Sequence, residues 1–149
     1  MLLPDVNILV HSYREDAPDH DRFKDWLEEL VNGAEAYGMS DLVCSGFLRS
    51  VTHPAVFSPP SPLGDALAYV EEVRSQPSCV VIVPGARHWR IFTQLCQASA
   101  ARGNLIPDAY FAALAMSPGA SGSRWMAITL ASLDCGGGDP SSNAPLDRG

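Results

Sequence analysis

The sequence predicts an α/β fold in which helices cover a parallel sheet. Short apolar runs, which are typical of buried parallel strands, occur at Leu2 and Leu3 and at residues 79–83. Apolar residues recur at helical spacing between and after these runs, and strands that alternate with helices indicate this fold class. The chain has 149 residues, 46% of them hydrophobic and 18% charged, which fits one globular domain.

The first half of the chain predicts two strands and three helices. After the first strand, the apolar residues 8–10 are expected to continue the extended run beyond a polar break. Pro18 in an acidic turn predicts the start of a helix, and Gly33 predicts its end. A short second strand is expected at residues 36–39. Ser40 then predicts the cap of the next helix, and Ser61 with Pro62 opens another.

The second half predicts one further strand and two helices. The β-branched run at residues 79–83 is the clearest strand of the sequence. Trp89, Phe92 and Leu95 lie at helical spacing and predict a helix that ends near Gly103. The last predicted helix opens at the pair Pro107-Asp108.

Composition and charge exclude several classes of protein. No stretch approaches about 18 consecutive apolar residues, so we expect no transmembrane helix. The first residues lack a basic segment and a cleavage site, which predicts a cytoplasmic protein without a signal peptide. The chain has 10 basic and 17 acidic residues, a net charge of −7. Because phosphate contacts need clustered Lys and Arg, this balance argues against an ordinary nucleic-acid-binding protein.

Two carboxylates are candidates for metal chemistry. Asp5 follows the first predicted strand, and the ends of parallel strands are where such folds bind ligands. Asn7 lies two residues further and would point to the same side of an extended chain. Asp108 opens the last predicted helix. Each Asp can equally be a capping residue, but carboxylates from separate elements are also what a hard cation such as Mg²⁺ needs.

Several longer motifs carry a resemblance to a known family. The opening Leu-Leu-x-Asp-x-Asn resembles the first strand of PIN-domain nucleases. Residues 39–54, 84–89 and 102–110 resemble VapC-type toxins of bacterial toxin–antitoxin systems, in the same order and at similar separations. The resemblance covers residues 1 to about 116. It implies a PIN-like three-layer sandwich, with a central parallel sheet flanked by helices.

The resemblance also implies a function. It predicts an endoribonuclease toxin of a type II toxin–antitoxin system that depends on Mg²⁺ or Mn²⁺ and cleaves RNA. Asp5 and Asp108 map to family metal ligands and catalytic residues, and Asn7 maps to a supporting polar residue. A cognate VapB-type antitoxin and a homodimer are the implied partners. Basic residues expected to touch the RNA backbone are Arg14, Arg49, Arg87 and Arg102.

The chain departs from the family at two places. Many PIN domains carry a Glu where Gly46 stands here, although the most similar subset often has Gly. Asp41, one turn earlier, is a candidate substitute. After residue 116 the expected strand and its acidic pair are missing, and residues 117–149 are rich in Gly, Ser and Pro. We therefore predict a domain at 1–116 and a divergent, partly disordered tail at 117–149.

A frameshift is our hypothesis for the divergent tail. The codons for residues 121–129 and 134–140, read in one alternative frame, can yield the family's Thr-x-Asp-x-Asp and Leu-Arg-Trp-Arg-Arg-Pro motifs, which gene sequencing would test. Asp134 is a candidate replacement for a lost acid. With fewer acids, the alternative function is a catalytically impaired PIN domain that only binds antitoxin or self-associates.

Overall fold

The computed structural model describes residues 1–117 and 126–128 and confirms the predicted α/β class. Its four strands pair in parallel in the order β3-β2-β1-β4. Neighbouring parallel strands share one direction, so their carboxyl ends meet along one edge of the sheet. The strands are β1 (Leu2–Pro4), β2 (Tyr37–Ser40), β3 (Cys79–Ile82) and β4 (Met126–Ile128).

Helices flank this sheet. Helix α1 packs against both α2 and α3, while α5 packs against α6. Within the part of the chain that the structure describes, no helix combines the length and apolar character needed to cross a membrane. The helices are α1 (Val6–Tyr13), α2 (His20–Asn32), α3 (Asp41–Val51), α4 (Leu63–Arg74), α5 (His88–Ala98) and α6 (Leu105–Met116).

The chain turns from strand to helix at Asp5, earlier than the sequence predicted. Residues 8–10 lie in α1 and do not extend the strand, so that expectation was wrong. Asp5 has extended backbone angles, and its side chain accepts a hydrogen bond from the backbone N–H of Ile8 at 3.0 Å. This N-cap satisfies a helix donor and lets α1 begin directly after β1. A short apolar run is compatible with either a strand or a buried helix, which explains the error.

Two other helix starts follow local chemistry. The Ser40 hydroxyl accepts a hydrogen bond from the backbone N–H of Val43 at 3.3 Å, which confirms the predicted cap of α3. Helix α6 begins at Leu105, before the predicted pair Pro107-Asp108. Pro107 is tolerated there because the first helical turn leaves its backbone N–H groups without intrahelical acceptors. Asp108 therefore lies inside the first turn of α6.

A fourth strand completes the sheet where the sequence predicted none. Strand β4 pairs with β1 in parallel, with Leu3 opposite Ala127. The backbone N–H of Met126 donates to the carbonyl of Met1, and that of Asp5 donates to the carbonyl of Ile128, each at 3.0 Å. The expectation that the family strand is missing was therefore wrong, although the family's acidic pair is absent from the sequence. The two central strands thus have hydrogen-bonded neighbours on both sides.

The core lies between the central strands and the helices that cover them. Leu3 of β1 and Met39 of β2 are fully buried, as is Phe47 of α3. The rings of Tyr13 and Tyr69 pack against Phe47 in edge-on and tilted arrangements, with ring centroids about 5 Å apart. This packing fixes α1 and α3 relative to the sheet, and both helices line the candidate site.

Candidate functional site

A cleft of about 520 Å³ opens beside the carboxyl end of β1. Its walls come from the start of α1, one side of α3, the first turn of α6 with the residue before it, and β4. Apolar side chains such as Leu42 and Phe111 form part of the lining. The polar residues that line it are Asp5, Asn7, Ser45, Arg49, Asn104 and Asp108.

The structure brings Asp5 and Asp108 into this one cleft, as the sequence predicted from separate elements. Burial raises the pKa of the Asp5 carboxyl, and the negative charge of Asp108 raises it further. The backbone N–H groups of Ile8 and Asn7 act in the opposite direction and lower it. The two acids are therefore close enough to repel each other, which is the arrangement that a bound cation relieves.

Asp108 has an open environment. It is exposed, and it forms no hydrogen bond or ion pair with any residue that the structure describes. A negative charge in the first turn of a helix is favoured by the partial positive charge of the free N–H groups. The carboxylate oxygens of Asp108 are thus available to a ligand on the cleft wall.

Asn7 also lines the cleft, but not for the predicted reason. It is the second residue of α1 and not part of an extended chain. The turn into the helix brings its amide to the same cavity as Asp5. The oxygen of a side-chain amide is a further ligand of the kind that hard cations accept.

The described acids form a pair and not a larger cluster. No group of three or more His, Cys, Asp or Glu side chains able to hold a metal ion occurs among residues 1–117 and 126–128. Asp41 does not line the cleft, and its carboxylate accepts a hydrogen bond from Arg74 at 2.6 Å. It does not stand in for a third ligand. Asp134 lies outside the described residues.

Gly46 and Val6 explain why α3 offers no acid at the family position. A Cβ atom added to Gly46 would lie 2.7 Å from Cγ2 of Val6, closer than real atoms approach. The branched Val6 side chain has few rotamers with which to retreat. Glycine at this position therefore lets α1 and α3 approach closely beside the cleft, and any side chain there requires Val6 to move.

The four candidate RNA-binding arginines have different environments. Only Arg49, on the last turn of α3, lines the cleft. Arg87 and Arg102 precede α5 and α6 and are not part of its lining. The Arg14 side chain is engaged elsewhere: it donates to both carboxylate oxygens of Asp16, to the carbonyl of Pro59 and to the hydroxyl of Ser61.

The structure adds Ser45 and Asn104, which the sequence analysis missed. Ser45 lies four residues before Arg49 on α3, and Asn104 lies four residues before Asp108 at the start of α6. Residues four apart share one helix face. That spacing was therefore a usable signal once Arg49 and Asp108 had been chosen.

The donor set of the cleft fits a hard divalent cation. Its candidate ligands are the carboxylates of Asp5 and Asp108 and the amide oxygen of Asn7, and none of the described Cys or His residues lines it. Mg²⁺ and Mn²⁺ prefer such oxygen ligands, and Mg²⁺ is commonly held by one or two carboxylates with water completing its coordination. Asp5 and Asp108 could therefore hold one ion between α1 and α6.

The fold and the site are accompanied by clear family matches. Residues 2–130 match the PIN domain, so the match extends through β4 and beyond residue 116. The chain is 39% identical to Ribonuclease VapC25 of Mycobacterium tuberculosis over 116 residues, which are 78% of this chain and 82% of that protein. It is 40% identical to VapC ribonuclease Mb2897 of Mycobacterium bovis over 121 residues, 81% of this chain and 82% of that one.

A solved structure shares the fold. It is the crystal structure of VapBC2 from Rickettsia felis bound to a DNA fragment from their promoter, with a TM-score of 0.54. The match covers 85% of this chain and 97% of that one at 14% sequence identity. The family match over residues 2–130 and the two relatives identify the class of protein. The chain belongs to the PIN-domain family, with VapC ribonucleases among its relatives.

Proposed function

We propose that this chain is a metal-dependent endoribonuclease, the toxin of a type II toxin–antitoxin system. The observation that carries the proposal is the meeting of Asp5 and Asp108 in one cleft. Similarity to proteins named as VapC ribonucleases supports RNA as the substrate. Asp108 is exposed on the cleft wall, so its carboxylate is accessible to a substrate.

Asp5 and Asp108 would hold Mg²⁺ or Mn²⁺, with Asn7 beside them. Such an ion, when bound, polarises a phosphodiester and lowers the pKa of a bound water. The chain contributes position: Asp5 is fixed by its hydrogen bond from Ile8 and by the backbone contact of its own N–H with Ile128. Asp108 adds a second charge from an independent helix. Fixed ligands need no rearrangement when charge develops on the substrate.

The reaction itself is hydrolysis of one phosphodiester bond. A water oxygen attaches to phosphorus while the bond to the leaving ribose oxygen breaks and that oxygen takes up a proton. Asp108 lacks a described hydrogen-bond donor, so its carboxylate can accept a hydrogen bond from the attacking water. Asp5, with its raised pKa, must be ionised to act as a ligand, which predicts activity that increases with pH at the acidic end.

An antitoxin is the proposed protein partner. Support comes from the structural neighbour, the VapBC2 assembly of Rickettsia felis, and from relatives that carry the VapC name. We also propose that the chain acts in the cytoplasm and pairs with a second copy. Co-purification with the product of an adjacent small gene tests antitoxin binding. Light scattering of the purified chain tests whether it forms a dimer.

The alternative is a PIN domain that binds antitoxin or itself without cleaving RNA. The specific observation in its favour is that the described part of the site has two acids and no third. At Gly46, where many PIN domains carry a Glu, the side chain of Val6 occupies the space that an acid would need. Both functions predict antitoxin binding. Only the ribonuclease predicts cleavage that depends on a divalent cation.

Cleavage of purified RNA by the purified chain distinguishes the two. We expect discrete fragments with Mg²⁺ or Mn²⁺, none with EDTA, and none from Asp5→Asn or Asp108→Asn. Asp65→Asn is the matched control, because Asp65 also lies in the first turn of a helix, α4, but outside the cleft. Cleavage by Asp108→Asn equal to that of the Asp65→Asn control would refute the assignment of the site. A folded wild-type chain without activity in either metal would favour the alternative.

A further inference from the structure

The cleft contains a cation that the metal site does not use. Arg49 lies on the last turn of α3 and lines the cleft that Asp5 and Asp108 also line. Among the cleft residues that the structure describes, it is the sole Lys or Arg. One wall of the cleft is therefore positively charged while the residues of α6 and the β1–α1 turn supply the negative charges.

Arg49 has no partner among the described residues. It takes part in no hydrogen bond or ion pair there. Arg49 is exposed, whereas two half-buried arginines have partners: Arg14 binds Asp16 and the loop before α4, and Arg74 binds Asp41. A guanidinium has five N–H donors in a planar fork, so those of Arg49 are available to a ligand in the cleft.

The neighbouring residues on α3 leave room for such a ligand. Gly46, three residues before Arg49, has no side chain, and Ser45, four residues before it, lines the same wall with a hydroxyl. Residues at these spacings share one helix face. Val6 lies against Gly46 and prevents an acid from projecting there without rearrangement. The α3 wall thus offers donors, and no carboxylate, to an anion.

A phosphate is the anion that fits both walls. Two carboxylates and one divalent cation balance in charge, so a phosphodiester in the cleft would bring one uncompensated negative charge. Arg49 can offset that charge, and its planar fork matches two phosphate oxygens. The remaining lining, including Leu42 and Phe111, is apolar and excludes water from part of the contact.

We propose that Arg49 binds a phosphate of the RNA strand opposite the Asp5–Asp108 pair, with the hydroxyl of Ser45 as an adjacent donor. This proposal rests on the proposed ribonuclease function and assigns one residue of its substrate site. It separates the cleft into a cation-holding wall, made by α1 and α6, and a phosphate-holding wall, made by α3.

The first test measures RNA binding without cleavage. A short single-stranded RNA is titrated into the Asp108→Asn protein in EDTA, with and without Arg49→Ala, at several salt concentrations. Loss of one phosphate contact should weaken binding and reduce the salt slope by about 0.7 for a single strand. Arg90→Ala is the matched control, because Arg90 is an exposed arginine on α5 outside the cleft. Equal effects of the two substitutions would overturn the proposal.

The second test measures cleavage in the otherwise unchanged protein. Arg49→Ala should lower kcat/KM at least tenfold, and Arg49→Lys should recover part of the loss because charge remains while the fork is lost. Mn²⁺ binding in the absence of RNA should persist in both variants, and their melting temperatures serve as the folding control. A merely structural Arg49 would instead change stability and leave the salt slope of RNA binding unaltered.

The outcomes for the two proposals can be told apart. If the wild-type chain cleaves RNA and Arg49→Ala cleaves and binds it equally well, Arg49 has no substrate role and the ribonuclease assignment stands. If the wild-type chain cleaves nothing in either metal, the ribonuclease assignment fails, and the salt slope still decides whether Arg49 contacts phosphate.

Discussion

Asp5 and Asp108 line one cleft, where burial raises the pKa of Asp5 and the negative charge of Asp108 raises it further. Asp5 caps α1 directly after the first strand, while Asp108 lies in the first turn of α6. Two acids held close together cost stability unless a cation lies between them. The protein therefore carries at this place an unfavourable electrostatic interaction that a bound cation can relieve.

The charge of Asp5 should lower the stability of the metal-free protein. Since its pKa is raised on folding, the free energy of unfolding should fall as the pH rises from the ordinary Asp value through the raised one. Asp5→Asn removes the charge and keeps an N-cap acceptor, so we expect it to exceed wild type in stability at neutral pH. The gain should shrink on acidification. Urea denaturation in EDTA at several pH values measures this.

Asp5→Ala distinguishes the effect of the Asp5 charge from that of its N-cap hydrogen bond. It also removes the acceptor for the N–H of Ile8, and loss of an N-cap costs about 1 kcal/mol. The alanine variant should therefore be less stable than the asparagine variant by that amount. Wild type that is more stable than Asp5→Asn at neutral pH without metal would show that the carboxylate is not under electrostatic strain.

Gly46→Ala should destabilise the protein, against the usual preference of helices for alanine. The new Cβ would meet Cγ2 of Val6 at 2.7 Å, and overpacking of this kind costs about 1–3 kcal/mol. Gly64 in α4 is the matched control, because nothing lies within 4 Å of its added Cβ. Gly64→Ala should stabilise by up to about 1 kcal/mol.

The close contact itself can be tested by a double-mutant cycle. Val6→Ala should recover much of the loss caused by Gly46→Ala, so the two substitutions should not be additive. Urea midpoints of the four proteins give the coupling energy. Gly46→Ala that stabilises as much as Gly64→Ala would contradict the packing described for α1 and α3.

The sequence predicted the elements with strong local signals. Ser40 was assigned as a cap from its position alone, and the structure has its hydroxyl bonded to the N–H of Val43. The β-branched strand β3 was also found. Residues 8–10 were assigned wrongly because an apolar run of three has no measurable period, and the turn into α1 depends on the Asp5 cap.

Strand β4 had almost no local signal. Met-Ala-Ile lies within an apolar stretch of a segment otherwise rich in Gly and Ser, and it lacks the alternation of a typical strand. Its position comes from hydrogen bonds to β1, which are non-local and therefore invisible in the sequence. Non-local contacts also determine which residues line the candidate site. The sequence predicted Asp5 and Asp108 as candidate site residues. It could not show that Arg49 lines the cleft while Arg14 binds a loop, because both environments depend on tertiary contacts.

Arg14 should act as a structural residue of the loop before α4. Its guanidinium contacts Asp16, Pro59 and Ser61 and lies 4.3 Å from the ring centroid of Phe57. Loss of these contacts in Arg14→Ala should lower the free energy of unfolding, mainly through the contacts with Pro59, Ser61 and Phe57, because solvent screens the exposed pair with Asp16. Proteolysis within residues 54–60 should also become faster.

The lysine variant shows which property of Arg14 matters. Lys lacks the planar fork that reaches several acceptors at once, so Arg14→Lys should recover little stability. RNA cleavage per folded molecule should stay at the wild-type level in both variants. A stable Arg14→Ala protein with reduced RNA affinity would instead support the RNA-binding role expected from the sequence.

Strand β4 should contribute to stability through Ile128. This side chain is 9% exposed, whereas that of Met126 on the same strand is 59% exposed. Ile128→Ala should cost about 2–3 kcal/mol, a value typical of a buried aliphatic residue near the edge of a core, while Met126→Ala should cost almost nothing. Guanidinium denaturation measures both. Equal and small effects would mean that β4 does not pack against β1 as described.

Binding of Mn²⁺ to the metal-free protein tests the central claim most directly. Electron paramagnetic resonance counts bound ions in the wild type, Asp5→Asn, Asp108→Asn and the Asp65→Asn control. We expect one ion in the wild type and the control, and much weaker binding in both cleft variants, because each loses one of the two carboxylates that line the cleft. Wild-type affinity in Asp5→Asn and Asp108→Asn would show that the pair does not hold the metal.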